Sequence, residues 1–221
     1  MSWKSAASAE ADLSPVAGRV LAVLAGLEPE WALSGPAALW RLPGMPSPIH
    51  QLDLVWYGRD RLRSLPRVIR RTLAQAGMET IRIRGTRRRA WIGVREGSSG
   101  CLLRLSAQPG PPLEAHLRTP LAGACPAMET PREVLAATLC FLEEKSEVQD
   151  LENLHLLWTN GISLERGFMD APLRNPDFCA LYLAWGLRGL TIADAEADLL
   201  SFREDLIAGI VGACLLDSRT C

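Results

Sequence analysis

The stretch from Trp31 to Trp56 limits what this chain can fold into more than any other. A short apolar segment, Trp31-Ala32-Leu33, runs into the small-residue corner Ser34-Gly35-Pro36, and the helical run Ala37 to Leu42 follows. Pro43-Gly44-Met45-Pro46-Ser47-Pro48 then excludes helix and forms a stiff bend. Beyond it, Gln51-Leu52-Asp53-Leu54-Val55-Trp56 reads as a strand. Alternate residues of a strand share a face, so Gln51 and Asp53 stand side by side. Pro36 has no N–H to give an anion, although proline suits the first turn of a helix. Gly35 is the residue that a tight backbone corner asks for.

Other elements follow from periodicity and punctuation. Val16–Leu27 reads as a helix with one apolar face, and Leu62–Ala76 as a second with Leu65, Val68, Ile69, Leu73 and Ala76 inward and Gly77 closing it. Met78–Arg84, Arg89–Arg95 and Cys101–Ala107 read as a three-strand meander, with turns at Gly85-Thr86 and Gly97 to Gly100. Leu113–Cys125 reads as an edge strand or irregular crossing. Thr130-Pro131-Arg132-Glu133 fits a capping box opening a helix to Leu142. Helices over Glu147–Trp158, Ser163–Met169, Pro176–Leu187 and Ile192–Val211 complete the pattern. The expected organisation is a tail over 1–15, an α/β domain over 16–127 and a helical domain over 128–221. With 48% hydrophobic residues in 221, a sizeable core is expected. No apolar run reaches the roughly 18 residues of a membrane helix.

From about Val20 to Phe168 the chain resembles the AbiEii/AbiGii-type toxin nucleotidyltransferases. The resemblance rests on Ala32-Leu33-Ser34-Gly35-Pro36-Ala37-Ala38-Leu39, on Gln51-Leu52-Asp53-Leu54, on Cys101 to Leu105, on Val134 to Leu139, and on Gln149-Asp150-Leu151-Glu152-Asn153-Leu154. It implies an α/β (α+β) nucleotidyltransferase-like palm, a mixed sheet flanked by helices, followed by a helical C-terminal part. It also implies that Ser34 and Gly35 hold a triphosphate, and that Asp53 and Asp150 are what remains of a magnesium-binding catalytic set. The family's first acid is here Gln51, its third falls at or near Arg104, its helix lysine is Thr138, and its Arg-Asp-x-x-Asp keeps only one acid. Two-metal transfer needs ions roughly 3.5–4 Å apart, both charge-balanced by carboxylates and phosphates. The expectation is therefore a degraded site with no cofactor, in a cytoplasmic, bacterial-type protein that works by binding. The alternatives are an active toxin-like transferase, using Mg2+ and NTP to modify RNA such as tRNA, and an antitoxin-like or scaffold subunit.

Charge points to a partner. Between Arg59 and Arg104 thirteen arginines face only Asp60, Glu79 and Glu96, about +10 in a chain whose total is −1. One reading makes Arg82, Arg84, Arg87, Arg88 and Arg89 a phosphate track for RNA or DNA, with Trp91 stacking a base. The other makes them a solvated strand face. The apolar helix Pro176–Leu187 is either buried in the C-terminal part or a protein-docking face. Six scattered cysteines without C-x-x-C spacing read as small buried hydrophobes and not as a zinc site.

Overall fold

The computed structural model describes residues 13–27, 30–193 and 196–217. The chain divides into two compact units, Met1–Thr130 and Pro131–Cys221. In the first, α1 (Pro15–Leu24) precedes β1 (Ala32–Ser34), α2 (Gly35–Ala38), β2 (Gln51–Tyr57), α3 (Leu65–Gln75), β3 (Glu79–Gly85), β4 (Arg89–Glu96), β5 (Ser99–Gln108), β6 (Leu117–Arg118) and β7 (Ala127–Met128). The strands form one seven-stranded sheet in the order β3-β4-β5-β2-β1-β7-β6. Pairing is parallel for β2–β5 and β1–β7 and antiparallel elsewhere, which makes the sheet mixed.

The strand period decides which face is buried. Leu52, Leu54 and Trp56 of β2 lie on the same side as Leu103 and Leu105 of β5 and Ile92 and Val94 of β4, all buried. Val20, Leu21 and Leu24 of α1 and Leu65, Ile69 and Leu73 of α3 join them in one core. Each such side chain contributes about 1.5–3 kcal/mol on leaving water. The odd-numbered residues of β2, including Gln51 and Asp53, are thereby sent to the opposite face. The α+β architecture expected from the sequence is the one observed.

Several local expectations need correction. Leu13 bridges Ile49 and the Ser14 hydroxyl caps α1, so residues 13–15 are not tail; residues 1–12 lie outside the described residues. The helix after the Gly35 corner is four residues long, because Leu39 leaves helical geometry. Val68 faces solvent. The region 113–125, by contrast, holds the edge strand expected of it, the two-residue β6, with the short bridge Leu121–Ala124 beyond it.

The second unit is helical: α4 (Pro131–Glu144), α5 (Val148–Thr159), α6 (Leu164–Arg174), α7 (Ala180–Arg188) and α8 (Ala197–Asp217). α4 is buried from Glu133 to Leu142 and packs on α5, α6 and α7. Gly167 permits the close approach of α6, because a Cβ there would lie 2.6 Å from the Leu135 side chain. Arg132 of α4 clasps Asp170 of α6 through Nε and Nη2, at 2.5 and 2.7 Å. That clasp holds the Asp170 carboxyl below the usual carboxylate range. The apolar helix α7 divides: Leu183, Ala184 and Leu187 are buried, whereas Leu181, Tyr182 and Trp185 are exposed. Cysteine burial divides too, since Cys101 and Cys140 are buried but Cys125 is exposed.

Candidate active site

The corner between β1 and α2 is built on Gly35, whose φ of 59° lies in the left-handed region. A Cβ at this position would collide with the Asp53 carboxylate, so glycine is needed for both backbone and space. Ser34 pairs with Asp53 across β1 and β2, and this brings three of the expected residues, Ser34, Gly35 and Asp53, to one place.

What surrounds Asp53 is not a metal-binding arrangement. Its Oδ1 accepts a hydrogen bond from Gln51 Nε2 at 2.8 Å. Its Oδ2 accepts one from the Arg104 guanidinium at 2.5 Å, with both side chains at most 5% exposed. Asp53 and Arg104 are register partners in the parallel β2–β5 ladder, so strand pairing itself delivers the guanidinium to the carboxylate. Both carboxylate oxygens are engaged, one of them by a full positive charge. Burial, then the nearby Asp53 charge, pushes the Cys101 thiol up to about 12, so it stays protonated.

The register extends this pair into a row across one face of the sheet. Ser34 lies opposite Asp53, Asp53 opposite Arg104, Arg104 opposite Trp91, and Trp91 opposite Arg84. The Arg84 guanidinium lies 4.0 Å from the Trp91 ring centroid, a cation–π contact. At the other end, the buried Glu129 follows β7 and its backbone N–H donates to the Leu33 carbonyl. Its two carboxylate oxygens accept from the Ser34 and Tyr57 hydroxyls. Tyr57 also packs on the His116 ring, 5.0 Å between centroids.

A pair of magnesium ions does not fit these residues. Magnesium wants octahedral oxygen at 2.0–2.1 Å or so. Here the central carboxylate is occupied by Arg104, the neighbouring strand position offers an amide, and Ser34 is committed to Glu129. Among the described residues no group of three His, Cys, Asp or Glu side chains is placed to hold a metal. Thr138, where the resemblance expects lysine, is buried and bonds back to the Val134 carbonyl of its own helix at 2.8 Å. Asp150 is buried in the first turn of α5, within the second unit. The His50 side chain is exposed.

The arginines sort into three groups. Arg59, Arg61 and Arg63 follow β2, and Arg87 and Arg88 form the β3–β4 turn; the Leu62 N–H bonds the Arg87 carbonyl at 2.9 Å and stitches the two loops together. All but the half-buried Arg59 are exposed, giving a basic rim at one end of the sheet. Arg67, Arg70 and Arg71 extend it along the exposed face of α3, a helix with no acidic residue. Arg82 and Arg84 belong to the edge strand, and Arg89 is half-buried at the start of β4.

Three participants were not legible as such: Glu129, Tyr57 and Gln51 as an amide donor. Glu129 lies 95 positions from Ser34 and 72 from Tyr57, so only the folded sheet unites them.

No family model matches the chain, and no curated protein does. Solved structures do. MenT4, a nucleotidyltransferase toxin from Mycobacterium tuberculosis, is similar over 88% of this chain and 81% of its own, at 14% identity and a TM-score of 0.54. The antibiotic-resistance factor ANT(2'')-Ia is similar over 70% of this chain and 86% of its own, at 13% identity and a TM-score of 0.47. JHP933 from Helicobacter pylori is similar over 91% of both chains, at 16% identity and a TM-score of 0.45. With its mixed seven-stranded sheet flanked by helices, and its overlap with MenT4 across most of both chains, this chain has a nucleotidyltransferase-like fold.

Proposed function

We propose that this protein uses a nucleotidyltransferase-like fold to bind nucleic acid and does not transfer nucleotides. The observation that carries the proposal is the buried Arg104 guanidinium on Asp53. Phosphoryl and nucleotidyl transfer depend on positioning and on stabilising developing negative charge with bound cations. A site whose central carboxylate is neutralised by its own arginine, and whose neighbouring carboxylate, Glu129, is taken by the Ser34 and Tyr57 hydroxyls, is poorly made to attract them. The resemblance to the AbiEii/AbiGii toxins supports RNA as the ligand class and a cytoplasmic setting.

The ligand meets the rim of Arg59, Arg61, Arg63, Arg87 and Arg88. Each phosphate neutralised by such a side chain releases counterions, with a salt slope of about 0.7 for single strands and 0.9 for duplex. Arg87→Glu with Arg88→Glu should weaken RNA binding and flatten its dependence on salt. If affinity and slope are both unmoved, nucleic-acid binding at this rim is refuted. Purified protein incubated with labelled NTPs, magnesium or manganese and total RNA should transfer no label.

An active transferase is the second reading, supported by the survival of Ser34, Gly35 and Asp53 at one corner. It would have Asp53 and Asp150 as its carboxylates and Mg2+ and NTP as its requirements. Label transfer abolished by Asp53→Ala would establish this reading in place of the first.

A further inference from the structure

The two edges of the sheet differ. β6 has two residues, whereas β3 has seven. Alternate backbone N–H and C=O groups of β3 point away from β4, and among the described residues no strand pairs on that side. Ile81 and Ile83 are 64% and 58% exposed, far more than large aliphatics in a sheet require. Ile81 pairs with Gly93, and the Ile83 side chain leans over that glycine, 3.7 Å from where a Cβ would be. Both isoleucines thus form an apolar shelf beside Trp91. Arginine lines both faces of this edge: Arg84 lies on Trp91 beside the shelf, whereas the exposed Arg82 and Thr80, whose hydroxyl Arg70 reaches from α3, alternate to the other face. Arg87 and Arg88 follow in the turn, and Glu79 is the one acid of β3.

We propose that β3 accepts an added strand from a partner polypeptide, an extended acidic segment with apolar residues at alternate positions. Main-chain pairing would complete the open edge, the apolar side chains would continue the isoleucine shelf, and the acids would meet the arginines. Charge argues against a second copy of this chain. Antiparallel pairing of β3 with itself centred on Ile83, the register that matches the exposed isoleucines, sets Arg82 against Arg84, and like charges across strands are unfavourable. The exposed isoleucines and the open main-chain edge argue against nucleic acid here, since it offers neither a peptide ladder nor an aliphatic surface. This docking stands independently of whether the basic rim binds RNA.

The test uses the full chain and a fluorescein-labelled peptide of about ten residues alternating valine and glutamate, long enough for one strand. Anisotropy should report saturable binding, and hydrogen exchange should show protection over residues 80–84. Ile81→Ser with Ile83→Ser, both on the surface, should weaken binding at least roughly tenfold, as should Arg82→Glu, while the fold is kept. A valine–lysine peptide should not bind. The proposal is overturned if a proline-interrupted acidic peptide binds equally, because the main-chain ladder would then be idle. It is overturned equally if single-stranded RNA protects residues 80–84 as well as the peptide does. Protection of those amides in the peptide-free protein that vanishes on dilution would assign the edge to a second copy, and would also overturn it.

Discussion

Each compact unit has an aspartate–arginine pair with a buried carboxylate, Asp53–Arg104 in the first and Asp170–Arg132 in the second, and the two sit in different settings. Asp53 and Arg104 meet across parallel strands with side chains 3% and 5% exposed, whereas Asp170 and Arg132 join two helices with the arginine 27% exposed. In the helical pair the guanidinium grips both carboxylate oxygens in a fork, and solvent still reaches it. In the sheet pair one nitrogen of Arg104 takes one oxygen, and Gln51 takes the other. The first arrangement is an ordinary clamp between packed helices. The second places a cation where the resemblance would put an anion, so the two charges offset each other and both side chains are sealed from solvent. A buried pair contributes less through its attraction than it costs when halved.

The difference is most sharply tested by halving each pair. Arg104→Ala leaves the Asp53 carboxylate buried without its cation, and the expected loss is about 3–5 kcal/mol in urea unfolding. Amide exchange in β2 and β5 should rise with it. The double replacement Asp53→Leu with Arg104→Met removes both charges and should be markedly less damaging than Arg104→Ala alone. A loss below about 1 kcal/mol for Arg104→Ala would place the pair among solvent-screened ones and break the comparison.

Gly35→Ala comes next, at about 2–3 kcal/mol, because a left-handed backbone and a collision with Asp53 add together. Combining it with Asp53→Ala should recover about 1 kcal/mol, measured as a double-mutant coupling. Absence of coupling would mean that the glycine serves the backbone alone.

The strand–corner–strand unit was legible because its signals are local: a glycine corner, a proline-rich bend, and polar residues at period two. The same period put Gln51 and Asp53 on one face correctly. It could not reveal that Ile81 and Ile83 are exposed, since alternation looks alike in a central strand and at an edge. Position in the sheet order, not composition, decides that. Val68 faces solvent and not the core for a related reason. Its helix carries enough apolar side chains to suggest a broad face, and the core takes only Leu65, Ile69 and Leu73. Arg104 could be matched to an acid position by resemblance, but its grip on Asp53 required the β2–β5 register. Glu129, joined to Ser34 and Tyr57, left no local mark at all.

The smallest effect concerns the helical pair. Asp170→Asn replaces a charge-assisted fork by a weaker amide contact, with an expected loss of about 1–2 kcal/mol at neutral pH. Because Arg132 lowers the folded-state pKa of Asp170 below its unfolded value, the unfolded chain binds that proton more readily. The stabilisation is therefore complete above the unfolded carboxylate pKa of about 4, and is lost as pH falls through the lower folded value. Urea midpoints of wild type and Asp170→Asn should differ by a constant amount from about pH 5 to 7 and converge in acid. A gap that widened in acid would reverse the sign required by the Arg132 clasp, and would leave the helix pair held by Gly167 packing and not by charge.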